Sequence, residues 1–242
     1  MAVEDVERCH GRALWGPREV GLALAALVVM AVAVLVPAAI AAALLAQGGE
    51  LTEDVGAMGA LLGANVAVEA LLLAVPLRWV MGRQGTLADL GWRWPRRGGL
   101  RTPLATLVGA YLALGIYVGA LEAAGLEGLL PESSFPKVAF QEPSLAALVG
   151  VMALGLAPLA EETFFRGFVF EGLRHRWGLW WSALASGILF GLMHLQVGAM
   201  IPFSAIGVVF ALAYAYSGSI LPSVAAHMAF NSVSFGVMLA TV

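Results

Sequence analysis

Charge is what this chain has least of. Only 12% of its 242 residues are Asp, Glu, Lys or Arg, while 60% are hydrophobic. A soluble domain carries about 25% charged and roughly 45–50% apolar residues. Too few polar side chains are present to cover a water-facing surface, so a soluble single domain does not fit. Positive charge is also in deficit: the formal net charge is −3, which leaves no basic face for nucleic acid. Cysteine occurs once, at Cys9, which excludes a disulfide framework and a cysteine-rich metal site. Disorder is excluded from the other side, because it needs low hydrophobicity and high net charge. The class that is left is a polytopic membrane protein.

A secretory signal is missing too. The first 19 residues mix Glu4, Asp5, Glu7 and Glu19 with Arg8, Arg12 and Arg18. A signal peptide instead has a short basic start and an apolar stretch of about 7–15 residues. The apolar run from Gly21 to Ala46 exceeds the roughly 20 residues that a span requires, and it reads as an uncleaved first span. Seven embedded segments are predicted, near 20–46, 56–81, 103–124, 145–173, 179–196, 201–216 and 220–241. The predicted fold class is all-α, a polytopic transmembrane helical bundle of about seven spans. It forms a single integral membrane domain over 1–242, with a three-span part at 1–125 and a core at 145–241. The fifth and sixth segments are short and joined through Gln196, Gly198 and Pro202, a pattern that marks sites buried in bundles. No internal repeat is visible. The alanine- and glycine-rich first two spans suit close helix packing.

The arginines set an orientation. Arg78, Arg83, Arg93, Arg96, Arg97 and Arg101 flank the connection after span two, and Arg174 and Arg176 follow span four. The connection after span one has Glu50, Glu53 and Asp54 but no basic residue, and the one after span three has Lys137 alone. The positive-inside rule then puts the N-terminus in the cytoplasm and the C-terminus outside. Trp79, Trp92, Trp94, Trp177, Trp180 and Trp181 fall where an interfacial aromatic belt is expected. The segment 82–102 reads as a cytoplasmic surface loop whose arginines serve as a topology signal or bind anionic lipid headgroups. The outer segment 125–144, with Pro131, Pro136 and Pro143, reads as a structured turn or short interfacial helix.

A charge at the bilayer centre costs about 2.5–3.5 kcal/mol on insertion scales, so each one needs a partner or a purpose. Span four carries Glu161, Glu162 and Arg166, span five His194, and span seven His227 and Asn231. Glu162 and Arg166 are four apart and share a helix face, as do His227 and Asn231. Glu161 is turned about 100° from Glu162 and has no local cation. Glu161 precedes Trp177 by 16 residues and His194 follows Gly178 by 16. Both therefore lie roughly 24 Å along a hairpin that turns there, at one level. Asn231, 13 residues after Gly218, falls at a similar depth. Pro158 just before Glu161 is placed to kink its helix. Glu69 and Asn65, four apart on span two, read as an internal hydrogen-bonding pair.

One cavity can thus collect Glu161, His194, His227 and Asn231. A carboxylate among apolar groups is a better general base near neutral pH than one in water. Histidine can share a water, relay its proton or bind a metal, and a side-chain amide can stabilise an oxyanion. The set suits hydrolysis of an amide bond. Glu162 and Arg166 read as a structural pair that supports it. Glu161, His194 and His227 are also the candidate ligands for a zinc ion with an open position, although the H-E-x-x-H signature is absent.

These runs resemble the three motifs of the CPBP (Abi) intramembrane protease family, which includes the type II CAAX prenyl endopeptidases and bacteriocin-processing or self-immunity proteins. E-E-x-x-x-R is matched by Glu161, Glu162 and Arg166, F-x-x-x-H by Phe190 and His194, and H-x-x-x-N by His227 and Asn231. Each motif is weak alone, while the ordered set in a polytopic chain is specific. The resemblance covers roughly 145–241. It implies seven or eight helices around a conical cavity within the membrane and an endopeptidase acting on a membrane protein or lipidated peptide in a bacterial or archaeal plasma membrane. It makes Glu161 the base, lets His194 hold the water, and sets His227 and Asn231 on the scissile carbonyl or the water. Zinc dependence stays open. Two other classes fit the same polar residues: a non-catalytic immunity or scaffold protein, and a small proton-coupled transporter.

Overall fold

The computed structural model describes residues 14–131 and 135–241. Cys9, His10, Arg8 and Arg12 lie outside the described residues. Among the described residues every regular element is helical. Six helices among the described residues are long and apolar enough to cross a membrane. They are α1 (Pro17–Leu45), α2 (Val55–Met81), α3 (Arg101–Ala124), a 50-residue helix (Pro143–Leu192), α8 (Val197–Ser217) and α9 (Leu221–Thr241). A short helix α4 (Val138–Gln141) precedes the long one. The protein is an all-helical, integral membrane bundle.

The long helix is not one rod. It consists of α5 (Pro143–Val151), a π-helical segment (Met152–Leu156), α6 (Ala157–Glu162), a second π-helical segment (Thr163–Phe170) and α7 (Glu171–Leu192). Within α7, Gly178 adopts φ 72° and ψ −179°, a conformation that favours glycine. The chain doubles back there. Ser186 Oγ donates to the Phe165 carbonyl at 2.8 Å, and the rings of Phe165 and Phe190 lie 5.4 Å apart. Segments four and five of the sequence reading are the two limbs of this hairpin.

Two expectations are corrected. The sixth segment is not short: α8 runs for 21 residues, with Pro202 in its second turn. The fifth ends early, at Leu192. His194 therefore sits in the turn to α8, where Leu195 takes φ 52°, and not on a helix.

The packing inverts that of a water-soluble bundle. Helix α3 buries Thr102, Thr106 and Ala110, four residues apart, and turns Leu104, Val108, Leu112 and Ile116 outward, also four apart. Small residues face neighbouring helices and large apolar ones face the hydrocarbon, where association depends on close packing. The tightest crossing joins α7 and α8. A Cβ on Gly207 would lie 2.8 Å from the Gly187 Cα, so only glycine permits it.

The loops sort into two ends. At one end Arg96 N–H donates to the Ser217 carbonyl at 2.9 Å and Ile220 N–H to the Gly91 carbonyl at 3.0 Å. Trp15 lies beside Gly172 at the same end. At the other end Gly198 packs on the backbone of Leu129 and Leu130. The start of α1, the arginine-rich loop and the two turns after Arg174 and Ser217 thus share one face.

That arginine-rich loop is more than a surface segment. Its 3₁₀ turn Leu87–Leu90 buries Leu90 fully and rests on Gly167, where a Cβ would come within 2.5 Å of the Leu90 carbonyl oxygen. Trp92 Nε1 donates to Thr163 Oγ1 at 3.1 Å. Trp79 packs edge-on against Phe168, 6.2 Å between centroids. Two of the six expected belt tryptophans therefore point inward, whereas Trp94, Trp177, Trp180 and Trp181 are exposed.

Candidate active site

Glu162 and Arg166 form the anchor of the site. Both are completely buried, and Arg166 Nη1 lies 2.8 Å from Glu162 Oε1. Arg166 Nη2 donates to the Gly207 carbonyl at 3.3 Å, which the close α7–α8 crossing brings within reach. The guanidinium faces the Phe190 ring at 4.4 Å and the Phe210 ring at 5.1 Å, a cation–π cage that helps offset its desolvation.

The same Glu162 Oε1 also accepts from His227 Nδ1 at 3.0 Å. A carboxylate already paired with arginine can only accept, so Nδ1 carries the proton. That leaves Nε2 pointing the other way, 3.8 Å from Glu161 Oε2. The expected structural pair thus does a second job, which spacing along one helix does not reveal: it fixes the ring of a residue 65 positions away. Glu161 keeps 14% of its side chain exposed, and its Oε2 has no hydrogen-bond partner.

His194 and Phe190 fill the next layer. His194 Nδ1 donates to the Phe190 carbonyl at 2.9 Å, and its ring contacts Phe203 at 4.3 Å and Phe190 at 5.1 Å. Phe190 also lies edge-on to His227 at 5.8 Å, so it separates the two imidazoles and holds both.

Asn231 is placed by a defect in the backbone. In the first π-helical segment Ala157 N–H donates to the Met152 carbonyl. The next donor along would be residue 158, and Pro158 has no N–H. The Ala153 carbonyl is left open, and Asn231 Nδ2 donates to it at 2.8 Å. The proline expected to kink this helix acts instead by freeing one carbonyl. The second π-helical segment behaves alike: Ser186 caps Phe165, and Trp15 Nε1 donates to the Phe168 carbonyl at 2.8 Å. Such segments occur frequently at functional sites.

Glu69 is the residue the sequence reading misplaced. Asn65 bonds to the Leu61 carbonyl of its own helix at 3.0 Å, on an exposed surface, so the pair expected on span two does not form. Glu69 instead buries its Oε2 without a hydrogen-bond partner, in a helix that packs on α6. Helical spacing within α2 does not signal which of its residues turn toward a neighbouring helix.

The zinc reading does not fit these residues. Among the described residues no three His, Cys, Asp or Glu side chains are arranged to hold a metal ion. Glu161 and His227 approach each other, while His194 is turned against Phe203.

Residues 143–233 match the profile of the family described as type II CAAX prenyl endopeptidase Rce1-like. The match spans all three motifs. A protein of Escherichia coli named "Uncharacterized 24.3 kDa protein" is 32% identical over 160 residues, 62% of this chain and 67% of that protein. The chain belongs to the Rce1-like family. A Bacillus subtilis protein named "Putative membrane peptidase YdiL" is 29% identical over 77 residues, 32% of each chain, so the alignment spans about a third of that relative's length. No solved structure matches. At the level of the family, the Rce1-like membership supports an intramembrane protease. Glu69 lies outside the matched stretch.

Proposed function

We propose that the protein is an intramembrane endopeptidase in which Glu161 activates water to hydrolyse a peptide bond of a membrane-associated protein or peptide. The observation that carries this reading is the 3.8 Å gap between Glu161 Oε2 and His227 Nε2. It is too long for a direct hydrogen bond, and it sets a carboxylate whose side chain is 14% exposed beside an imidazole nitrogen, two groups able to act on one water. With His227 Nδ1–H committed to Glu162, both groups facing the gap accept hydrogen bonds. A water there donates to both, which leaves its oxygen lone pairs free to attack. Glu161 takes one water proton as the O–C bond forms. The negative charge moves to the former carbonyl oxygen, where the remaining N–H of Asn231 is the donor on offer. Glu161 then returns the proton to the departing nitrogen as the C–N bond breaks. His194 lines the approach to the water.

The substrate class proposed is a lipidated, CAAX-type tail or another membrane-held peptide. An apolar, laterally exposed bundle excludes soluble chains. The proposed setting is a bacterial or archaeal plasma membrane with the N-terminus in the cytoplasm. The test compares newly created peptide ends in membranes of cells expressing wild type or Glu161→Gln at equal levels. Ends seen only with wild type are expected. Ends that persist with Glu161→Gln would sink the assignment of the base, and their absence from both would favour a non-catalytic scaffold.

A further inference from the structure

The arginine-rich end of the bundle carries a second feature, away from the glutamates and histidines. An open groove of about 730 Å³ runs between the start of α3 and the end of α8. Toward the loop it is polar, with Arg101, Thr102 and Tyr216, and further along its floor is apolar, with Ala105, Val209 and Ala213. Among the described residues no Asp or Glu lines it. The Thr102 side chain is only 7% exposed, and its Oγ1 is a buried atom with no hydrogen-bond partner. Such a hydroxyl is costly until an acceptor reaches it. Gly98, at φ 78°, forms the adjoining wall. A Cβ there would collide with Thr102 Oγ1 and come within 2.8 Å of the Tyr216 ring, so only glycine leaves both in place. The helix backbone has no donor to offer at its first turn. Arg101 N–H and Thr102 N–H are spent on the Gly98 and Gly99 carbonyls, and Pro103 has no N–H. The donors left for a ligand are side chains: the exposed Arg101 guanidinium and the hydroxyls of Thr102 and Tyr216.

Charge and polarity select the occupant. A guanidinium with no carboxylate beside it favours a phosphate oxyanion. A zwitterionic headgroup would bring an amine that finds no acid in the groove. One turn along α3, Thr106 Oγ1 donates to the Thr102 carbonyl at 2.7 Å, so the floor there presents carbon. Leu100 and Leu104 are exposed beside the groove, which sets it against hydrocarbon and favours a lipid over a free anion. We infer that the α3–α8 groove binds one anionic phospholipid, with its phosphate held by Arg101 and the Thr102 and Tyr216 hydroxyls and an acyl chain laid over Ala105 and Ala213. Basic pockets between membrane helices take lipid headgroups in this way. The site stands independently of the protease reading.

Native mass spectrometry of the detergent-purified protein reads the retained lipid directly. The protein is titrated with phosphatidylglycerol, or with phosphatidylcholine of the same acyl chains. One phosphatidylglycerol is expected to bind roughly tenfold more tightly than phosphatidylcholine, the scale of one charge-assisted contact. Arg101→Gln should erase that preference. Ala105→Trp keeps the charge but fills the floor, and it should weaken both lipids. Arg176→Gln removes an equal charge from the same end, outside the groove, and should change neither. Arg101 and Ala105 are exposed, so both variants should melt like wild type without lipid. Added phosphatidylglycerol should raise the midpoint of wild type by mass action and not that of Arg101→Gln. Equal weakening by Arg101→Gln and Arg176→Gln would reduce the effect to diffuse surface charge and overturn the site. Binding untouched by Ala105→Trp would overturn the seat of the acyl chain. Displacement of the lipid by millimolar inorganic phosphate would make this a simple anion site and overturn the lipid assignment.

Discussion

Glu162 spends one oxygen on two partners, Arg166 and His227, and that sharing separates stability from chemistry. Removing one member of a buried ion pair leaves the other uncompensated, at about 3–5 kcal/mol. Arg166→Ala should therefore lower the thermal midpoint in detergent markedly, and an unchanged midpoint would refute the pairing. Replacing both partners with apolar groups of similar volume is often neutral for stability. The double variant Glu162→Leu/Arg166→Met should accordingly recover most of that midpoint. It should not recover proteolysis, because His227 has then lost the acceptor that fixes its ring. Recovery of both would show that the ring needs no such anchor.

At the scale of elements, the long helix owes its site to two π-helical segments and a proline. Pro158 withholds the donor that would occupy the Ala153 carbonyl, and Asn231 uses the opening. Pro158→Ala restores that N–H and sets the backbone in competition with Asn231. A net intramolecular hydrogen bond is worth about 1 kcal/mol, so the variant should be as stable as wild type or slightly more so. Cleavage should fall, because Asn231 is released from its register. A drop in melting temperature with normal cleavage would show that the proline serves packing alone. The glycines act in the opposite sense. Gly207 and Gly187 bring two backbones so close that a helix carbonyl becomes a ligand for Arg166.

At the scale of the molecule, the arginine-rich loop, the start of α1 and the turns after Arg174 and Ser217 gather at one end. From the arginine distribution we propose that this end is the cytoplasmic one. In a Cys9→Ala background, Trp94→Cys and Gln47→Cys put single thiols at opposite ends on exposed residues. A membrane-impermeant thiol reagent applied to intact cells should label only Gln47→Cys. The reverse pattern would invert the orientation, and labelling of both would break the two-ended arrangement. The same end carries the contact between Leu90 and Gly167, so the arginine-rich loop packs directly on the long helix that bears Glu161.

The sequence by itself determined the class, the stretches of apolar helix and the residues of the three motifs. Those signals are local: runs of apolar residues long enough for the bilayer, arginine asymmetry between neighbouring loops, and polar side chains four residues apart on a helix. The tertiary structure decided which groups face which. It joined Glu162 to His227, turned His194 out of its helix against Phe203, gave the Ala153 carbonyl to Asn231, and turned Asn65 to the Leu61 carbonyl in place of Glu69. Helical periodicity states what shares a face within one helix. It carries no information on the rotation of that face toward another, which is fixed by glycine-sized contacts and by the need to satisfy each buried polar group.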